Sequence, residues 1–170
     1  QNYKSTRTCI TKTKTKCVLD DVGEQQIFLV GDSHMHSLEN ALLAHTLAFD
    51  YKLTSLVFPG CQYILNLSRV NINNGQPHKC NRSIQMSRRE VLLNSEPGII
   101  IIGGRLPVVL QEDGFDNLEG GYEGKMPFAL AYPNRPNMSK KTRSQAIRKE
   151  YTKTIMELAE YGHKVVITYP

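Results

Sequence analysis

The chain has 170 residues, enough for one domain with a substantial core, and 40% of them are hydrophobic, too many for a disordered chain. Its longest apolar runs are far short of a membrane span, and no charged n-region leads into an apolar h-region, so no signal peptide is expected within it. The net charge is 21 minus 16, or +5, with much of the surplus in residues 4–16 and 140–149. Such a face suits an anionic polysaccharide, a lipid surface or plain solvation; no nucleic-acid motif occurs and aromatics are not interleaved with the basic residues, so no nucleic-acid partner is expected.

Residues 1–25 are polar and rich in Thr and Lys, and positions 11–16 alternate strictly between the two, which predicts an exposed extended segment. Cys9 and Cys17 bracket that stretch, and Cys61 and Cys80 bracket a second one. No Cys-x-x-Cys spacing occurs, so no zinc site is expected. Local pairs Cys9–Cys17 and Cys61–Cys80 are the most economical disulfides, each contributing roughly 2–3 kcal/mol in the chain-entropy model. They imply an oxidising compartment; the alternative is four reduced, buried thiols in a cytosolic protein.

The apolar run 26–30 predicts a strand, which enters the turn Gly31-Asp32-Ser33-His34. A helix follows over 35–49, with Met35, Leu38, Leu42, Leu43 and Leu47 at spacings of three and four. Residues 52–58 read as a second strand ended by Pro59-Gly60, residues 61–81 as a long Asn-rich loop, and 82–93 as a second helix with Ile84, Met86, Val91 and Leu92 apolar. Four isoleucines at 99–102 predict a parallel strand buried on both faces, left by Gly103-Gly104-Arg105. Residues 106–141 carry too little period to assign. A helix over 142–161, capped by Thr142 or Ser144 and stopped by Gly162, leads to a last strand at 164–168. The alternation predicts an α/β fold with a parallel sheet, with 1–25 as an extension and 26–170 as the domain.

In such sheets sites form at the carboxyl ends of the strands. Gly31-Asp32-Ser33-His34, Pro59-Gly60-Cys61 and Gly103-Gly104-Arg105 are therefore expected at one edge. Ser33 is the candidate nucleophile, although a serine or aspartate there also suits a plain helix cap. The backbone N–H groups of Ser33 and Gly60 are candidate oxyanion donors, and Arg105 is a candidate charged donor.

These residues resemble the SGNH hydrolase superfamily, and one branch of it in particular: the SGNH domain fused to the acyltransferase-3 (AT3) membrane domain of bacterial polysaccharide O-acyltransferases. The resemblance runs through Cys17, the block Val30-Gly31-Asp32-Ser33-His34, Pro59-Gly60-Cys61 with Cys80, residues 99–105, Gly114-Phe115-Asp116-Asn117-Leu118-Glu119-Gly120-Gly121 and residues 162–170. It covers most of 17–170. It implies a flavodoxin-like SGNH fold, a parallel sheet with helices on both faces, plus a disulfide-stapled N-terminal extension. Ser33 would be the nucleophile, Asp32 and His34 supporting residues of its block, and Gly60 the second-block oxyanion donor. The wider superfamily has Gly-x-Asn-Asp in its third block; this chain has Gly103-Gly104-Arg105-Leu106, so Arg105 stands in for the asparagine.

The family carries an Asp-x-x-His block downstream of the last strand, supplying the base and its orienting carboxylate. No Asp-x-x-His occurs in this sequence, which implies a domain truncated before that block, with the base beyond Pro170. His34 and His36 lie beside the nucleophile, His163 falls before the last strand, and nothing argues for His45 or His78. The implied activity is O-acyl transfer, most simply acetyl, through a Ser33 ester to a sugar hydroxyl of an extracytoplasmic polysaccharide such as lipopolysaccharide. The acyl donor would arrive through the AT3 membrane domain, in the periplasm or on the outer face of the inner membrane. No cofactor or metal is expected. The alternatives are a carbohydrate O-acetyl esterase and a non-catalytic glycan-binding module.

Overall fold

The computed structural model describes residues 15–112, 114–116, 118, 120–123 and 127–168. In chain order the strands are β1 Cys17–Asp20, β2 Gln25–Gly31, β3 Tyr51–Val57, β4 Ser68–Asn71, β5 Ile99–Gly103, β6 Phe115–Asp116, β7 Tyr122–Glu123, β8 Phe128–Ala131 and β9 Lys164–Ile167. The helices are α1 Glu39–Phe49, preceded by a single 3-10 turn Met35–Leu38, then α2 Arg82–Leu93, α3 Leu106–Gln111 and α4 Lys140–Glu160.

The main sheet has the order β1-β3-β2-β5-β9. Strands β3, β2, β5 and β9 are mutually parallel, the doubly wound order in which the chain steps first to one side of β2 and then to the other. The four isoleucines of β5 lie between β2 and β9, with Ile100 and Ile102 buried against α2 and α4.

Alternation along each strand assigns the faces. Phe28, Val30, Leu56, Ile100 and Ile102 share one core with Leu92 of α2 and Leu158 of α4. The neighbour of Leu56, Ser55, points the other way, and its hydroxyl donates to Glu39 of α1 at 2.5 Å. Helices therefore cover both faces. A second core lies between α3, α4 and the small antiparallel pair β4–β8, built on Ile64, Leu67, Leu130 and Ile147.

Several elements depart from the sequence reading. β1 lies within the stretch read as an extension, and it joins the sheet antiparallel to β3, with a bulge between Val18 and Asp20. The Cys9 end of the expected Cys9–Cys17 pair lies outside the described residues. The loop 61–81 contains β4, and the segment 106–141 contains α3, the hairpin β6–β7 and β8. The expected helix 35–49 opens as a 3-10 turn, and α1 buries Glu39 and Thr46, whereas Leu38 is exposed. Glu39 pays its way inside through the Ser55 bond, which an apolar count does not register. α4 is capped by Ser139, whose side chain accepts the Thr142 N–H at 3.3 Å, in place of the expected Thr142 or Ser144. Its end is as expected: the Gly162 N–H donates to Ala159 and the His163 N–H to Leu158. No helix among the described residues is long and apolar enough to cross a membrane.

Candidate active site

The strand order reverses between β2 and β5, and the crevice outside the carboxyl ends of such strands is where open α/β sheets form sites. Gly31 pairs with Gly103 on one side and Val57 on the other, so the three punctuated strand ends stand side by side. Ser33 is exposed in the turn that leaves β2. The Met35 N–H donates to Asp32 O at 3.0 Å and the Ser37 N–H to His34 O at 3.2 Å, so the turn is wound in steps of three. The Ser33 and Gly60 N–H groups donate to no acceptor among the described residues. They are available to a ligand oxygen.

Asp32 is not a plain helix cap. It is 1% exposed, and each carboxylate oxygen is engaged. Oδ1 accepts the His34 N–H at 2.9 Å, while Oδ2 accepts the Gln62 Nε2–H at 2.7 Å and the Arg105 N–H at 2.8 Å. One buried side chain thus joins the loops after β2, β3 and β5. Gly104 lies directly against it at φ +128°, and a Cβ there would stand 2.7 Å from the carboxylate. Only glycine admits that approach in that conformation.

The Gly60 loop is held from several sides. The Phe58 N–H donates to Gly31 O and the Cys61 N–H to Phe58 O, both at 3.0 Å. Gly60 has φ +66°, and a Cβ would fall 2.3 Å from Arg69 Nη1, which donates to Gly60 O at 2.8 Å. The Arg69 guanidinium lies over the Phe128 ring at 4.9 Å, and burial lowers its pKa. The disulfide Cys61–Cys80 closes the loop covalently.

Beneath this loop Arg88 of α2 is fully buried, and among the described residues it hydrogen-bonds no carboxylate. Its Nη1 donates to Gly31 O at 3.2 Å, Cys61 O at 3.1 Å and Leu56 O at 3.4 Å; its Nη2 donates to Gln85 Oε1 at 2.6 Å, Cys61 Sγ at 3.2 Å and Gln62 O at 3.4 Å. Burial pushes its pKa down to about 10, still far above neutrality, so the site has a buried cation beneath it.

Ser33, Asp32, Gly60 and Arg105 are therefore brought together. Arg105 is bound to Asp32 through its main chain, and its side chain is half-buried. The histidines are scattered. His34 is exposed, with Nδ1 4.0 Å from Asp32. His36 lies against Glu39, His45 stacks on Phe49, and His78 packs on Phe128. His163 is buried at the opposite end of the sheet, where its Nδ1 accepts the Gly98 N–H and its Nε2 meets Leu92 O, each at 3.0 Å. Among the described residues no group of three or more His, Cys, Asp or Glu is arranged to hold a metal.

Gln62, Arg69 and Arg88 were not singled out from sequence. Gln85 and Arg88 occupy the buried stripe of α2 where an apolar pattern is expected, and their partners include each other, the disulfide sulfurs and main-chain carbonyls that no side-chain pattern announces.

A family model described as the SGNH domain fused to AT3 domains matches residues 3–170. No curated protein and no solved structure matches the chain.

Proposed function

The chain belongs to the family of SGNH domains fused to AT3 domains, an acyltransferase- or esterase-type module, and from that premise we propose that it transfers an acyl group, most simply acetyl, to a sugar hydroxyl of an extracytoplasmic bacterial polysaccharide. The observation that carries this reading is the exposed Ser33 on a turn that Asp32 ties to the loops carrying Gly60 and Arg105, with the Ser33 and Gly60 N–H groups donating to no acceptor among the described residues.

In the proposed reaction Ser33 Oγ attacks the acyl carbonyl carbon while its proton passes to a base. The carbonyl oxygen becomes an oxyanion that receives the Ser33 and Gly60 N–H groups, with the Arg105 and Arg69 cations adding positive potential. Collapse breaks the bond to the donor's leaving group, which takes the proton and leaves an ester on Ser33. A sugar hydroxyl then attacks that ester, gives its proton to the base, and departs acylated as Ser33 is restored. The base is assigned to the family's Asp-x-x-His block, which this sequence does not contain. The donor is assigned to delivery through the AT3 membrane domain, which puts the reaction on the periplasmic side of the inner membrane. His34 borders the nucleophile as a supporting residue.

The test uses the AT3-fused protein with unacetylated and acetylated glycan. Transfer predicts acetyl gain on the first, abolished about 10³-fold or more by Ser33→Ala. Release of acetate from the second with no gain on the first would establish the esterase reading. Binding of glycan with neither reaction would leave a glycan-binding module. Full activity in Ser33→Ala would overturn the nucleophile assignment.

A further inference from the structure

We propose that Gln62 is a positioning residue of the acyl-transfer site, locking the Ser33 turn to both neighbouring loops through a single carboxamide. The inference rests on the reading of Ser33 as nucleophile. Asp32 is a buried carboxylate, which is tolerated only when its oxygens are filled by donors. Two of its three donors are main-chain N–H groups, from His34 and Arg105, which any sequence would supply. The third, at 2.7 Å, is Gln62 Nε2, and it is the one side-chain hydrogen bond to Asp32 among the described residues. The same NH₂ group reaches Arg105 O at 3.5 Å.

Gln62 lies two residues after Gly60, and its own backbone is anchored from below. Its carbonyl accepts Gln85 Nε2 at 2.8 Å and Arg88 Nη2 at 3.4 Å. The residue therefore spans from a fixed point on the Gly60 loop to the carboxylate under Ser33 and the backbone of Arg105. A shift in any one loop is passed to the other two. Misplacement of reacting groups by about 1 Å can cost about 10²-fold in rate.

A packing role does not account for glutamine here. Gln62 is 7% exposed, and its Oε1 is buried with no hydrogen-bond partner among the described residues. An acceptor-only carboxylate must face the amide nitrogen, so the stranded oxygen follows from the bond to Asp32. Gln62 and Tyr63, whose hydroxyl also lacks a partner among the described residues, both line a cavity of about 10 Å³, room for one water. A methionine would fill the same space and strand no acceptor. The glutamine is explained by what its NH₂ group holds.

The experiment compares wild type, Gln62→Met, Gln62→Glu and Ser33→Ala. Turnover of an activated acetyl ester is followed with imidazole supplied as base, alongside thermal melting and amide hydrogen exchange at His34 and Arg105. Gln62→Met is expected to lower kcat by about 10- to 100-fold with KM within about twofold, to exchange faster at both amides, and to keep its Tm. Gln62→Glu, which sets a second carboxylate against Asp32, is expected to lose kcat as well. Wild-type kcat in Gln62→Met, or unchanged exchange at both amides, would overturn the proposal. If wild type is no faster than Ser33→Ala, the nucleophile reading is what fails, and exchange alone then decides: faster exchange at His34 and Arg105 upholds the positioning role, and unchanged exchange ends it.

Discussion

Replacing Arg88 by methionine tests whether the buried cation holds the strand ends together. The guanidinium has six acceptors, but most of them keep another partner when it is removed. Gly31 O still receives the Phe58 N–H, and Gln62 O still receives Gln85 Nε2. Leu56 belongs to a strand paired within the sheet. Among the described residues Cys61 O and Gln85 Oε1 have Arg88 alone as donor, and both residues are buried, so two acceptors are orphaned. At about 1–3 kcal/mol each, the loss is about 2–6 kcal/mol. For a domain of this size that corresponds to a fall in Tm of roughly 5–20 °C. Arg89→Met, one residue on, is the control: its ion pair with Glu157 is partly solvated on both sides and is worth about 1 kcal/mol or less. Thermal melts followed by circular dichroism, with urea titrations for the free energy, give both numbers. If Arg88→Met melts within about 2 °C of wild type, or costs no more than Arg89→Met, the carbonyl-cage reasoning is wrong.

Other outcomes follow from the same contacts. Reducing Cys61–Cys80, which closes a separation of 19 residues, is expected to lower stability by about 3 kcal/mol, read as an earlier urea midpoint for protein refolded in reductant. Gly104→Ala drives a Cβ against the Asp32 carboxylate in a backbone region that disfavours side chains, and is expected to cost about 1–3 kcal/mol and most of the ester turnover. Glu150 gives a pH signature. Burial alone would raise its pKa, but hydrogen bonds from Asn66 and Tyr132, with Lys153 nearby, outweigh burial and hold it below the ordinary carboxylate value. A depressed folded value contributes stability that is complete above the unfolded pKa and is lost as pH falls through the folded one. Glu150→Gln should therefore lower Tm at pH 7, and the difference from wild type should shrink on acidification below about pH 4; a constant difference across that range would contradict the assignment.

The parts of the fold legible in the sequence are those paired on both sides or whose ends are chemically marked. The run 99–102 is the expected parallel strand, flanked by β2 and β9, but it is fully buried on one face alone: Ile100 and Ile102 are buried, Ile99 and Ile101 half-buried. Gly162 stops α4 as expected. The expected bounds 82–93 are those of α2, whose start is fixed by Asn81 accepting the Ile84 N–H. β4 and β8 were missed because each is four residues long and they pair with each other across a separation that no local period reveals. α1 was placed, but its inner face was misjudged: Glu39 and Thr46 are buried through bonds to Ser55, Asp20 and the helix backbone. The candidate site was legible as three strand ends, since Gly31, Gly60 and Gly103-Gly104 punctuate apolar runs. What ties those ends together was not, because Gln62, Arg69 and Arg88 act on main-chain oxygens and one carboxylate from positions far apart in sequence.

Acyl trapping on Ser33 tests the central claim most directly. The protein is exposed to an activated acetyl ester with imidazole as base and no sugar acceptor, and the label is located by peptide mass analysis. The account predicts one acetyl group on the peptide containing Ser33 in wild type and none there in Ser33→Ala. No label with imidazole present, or equal labelling of the two proteins at another residue, would contradict it.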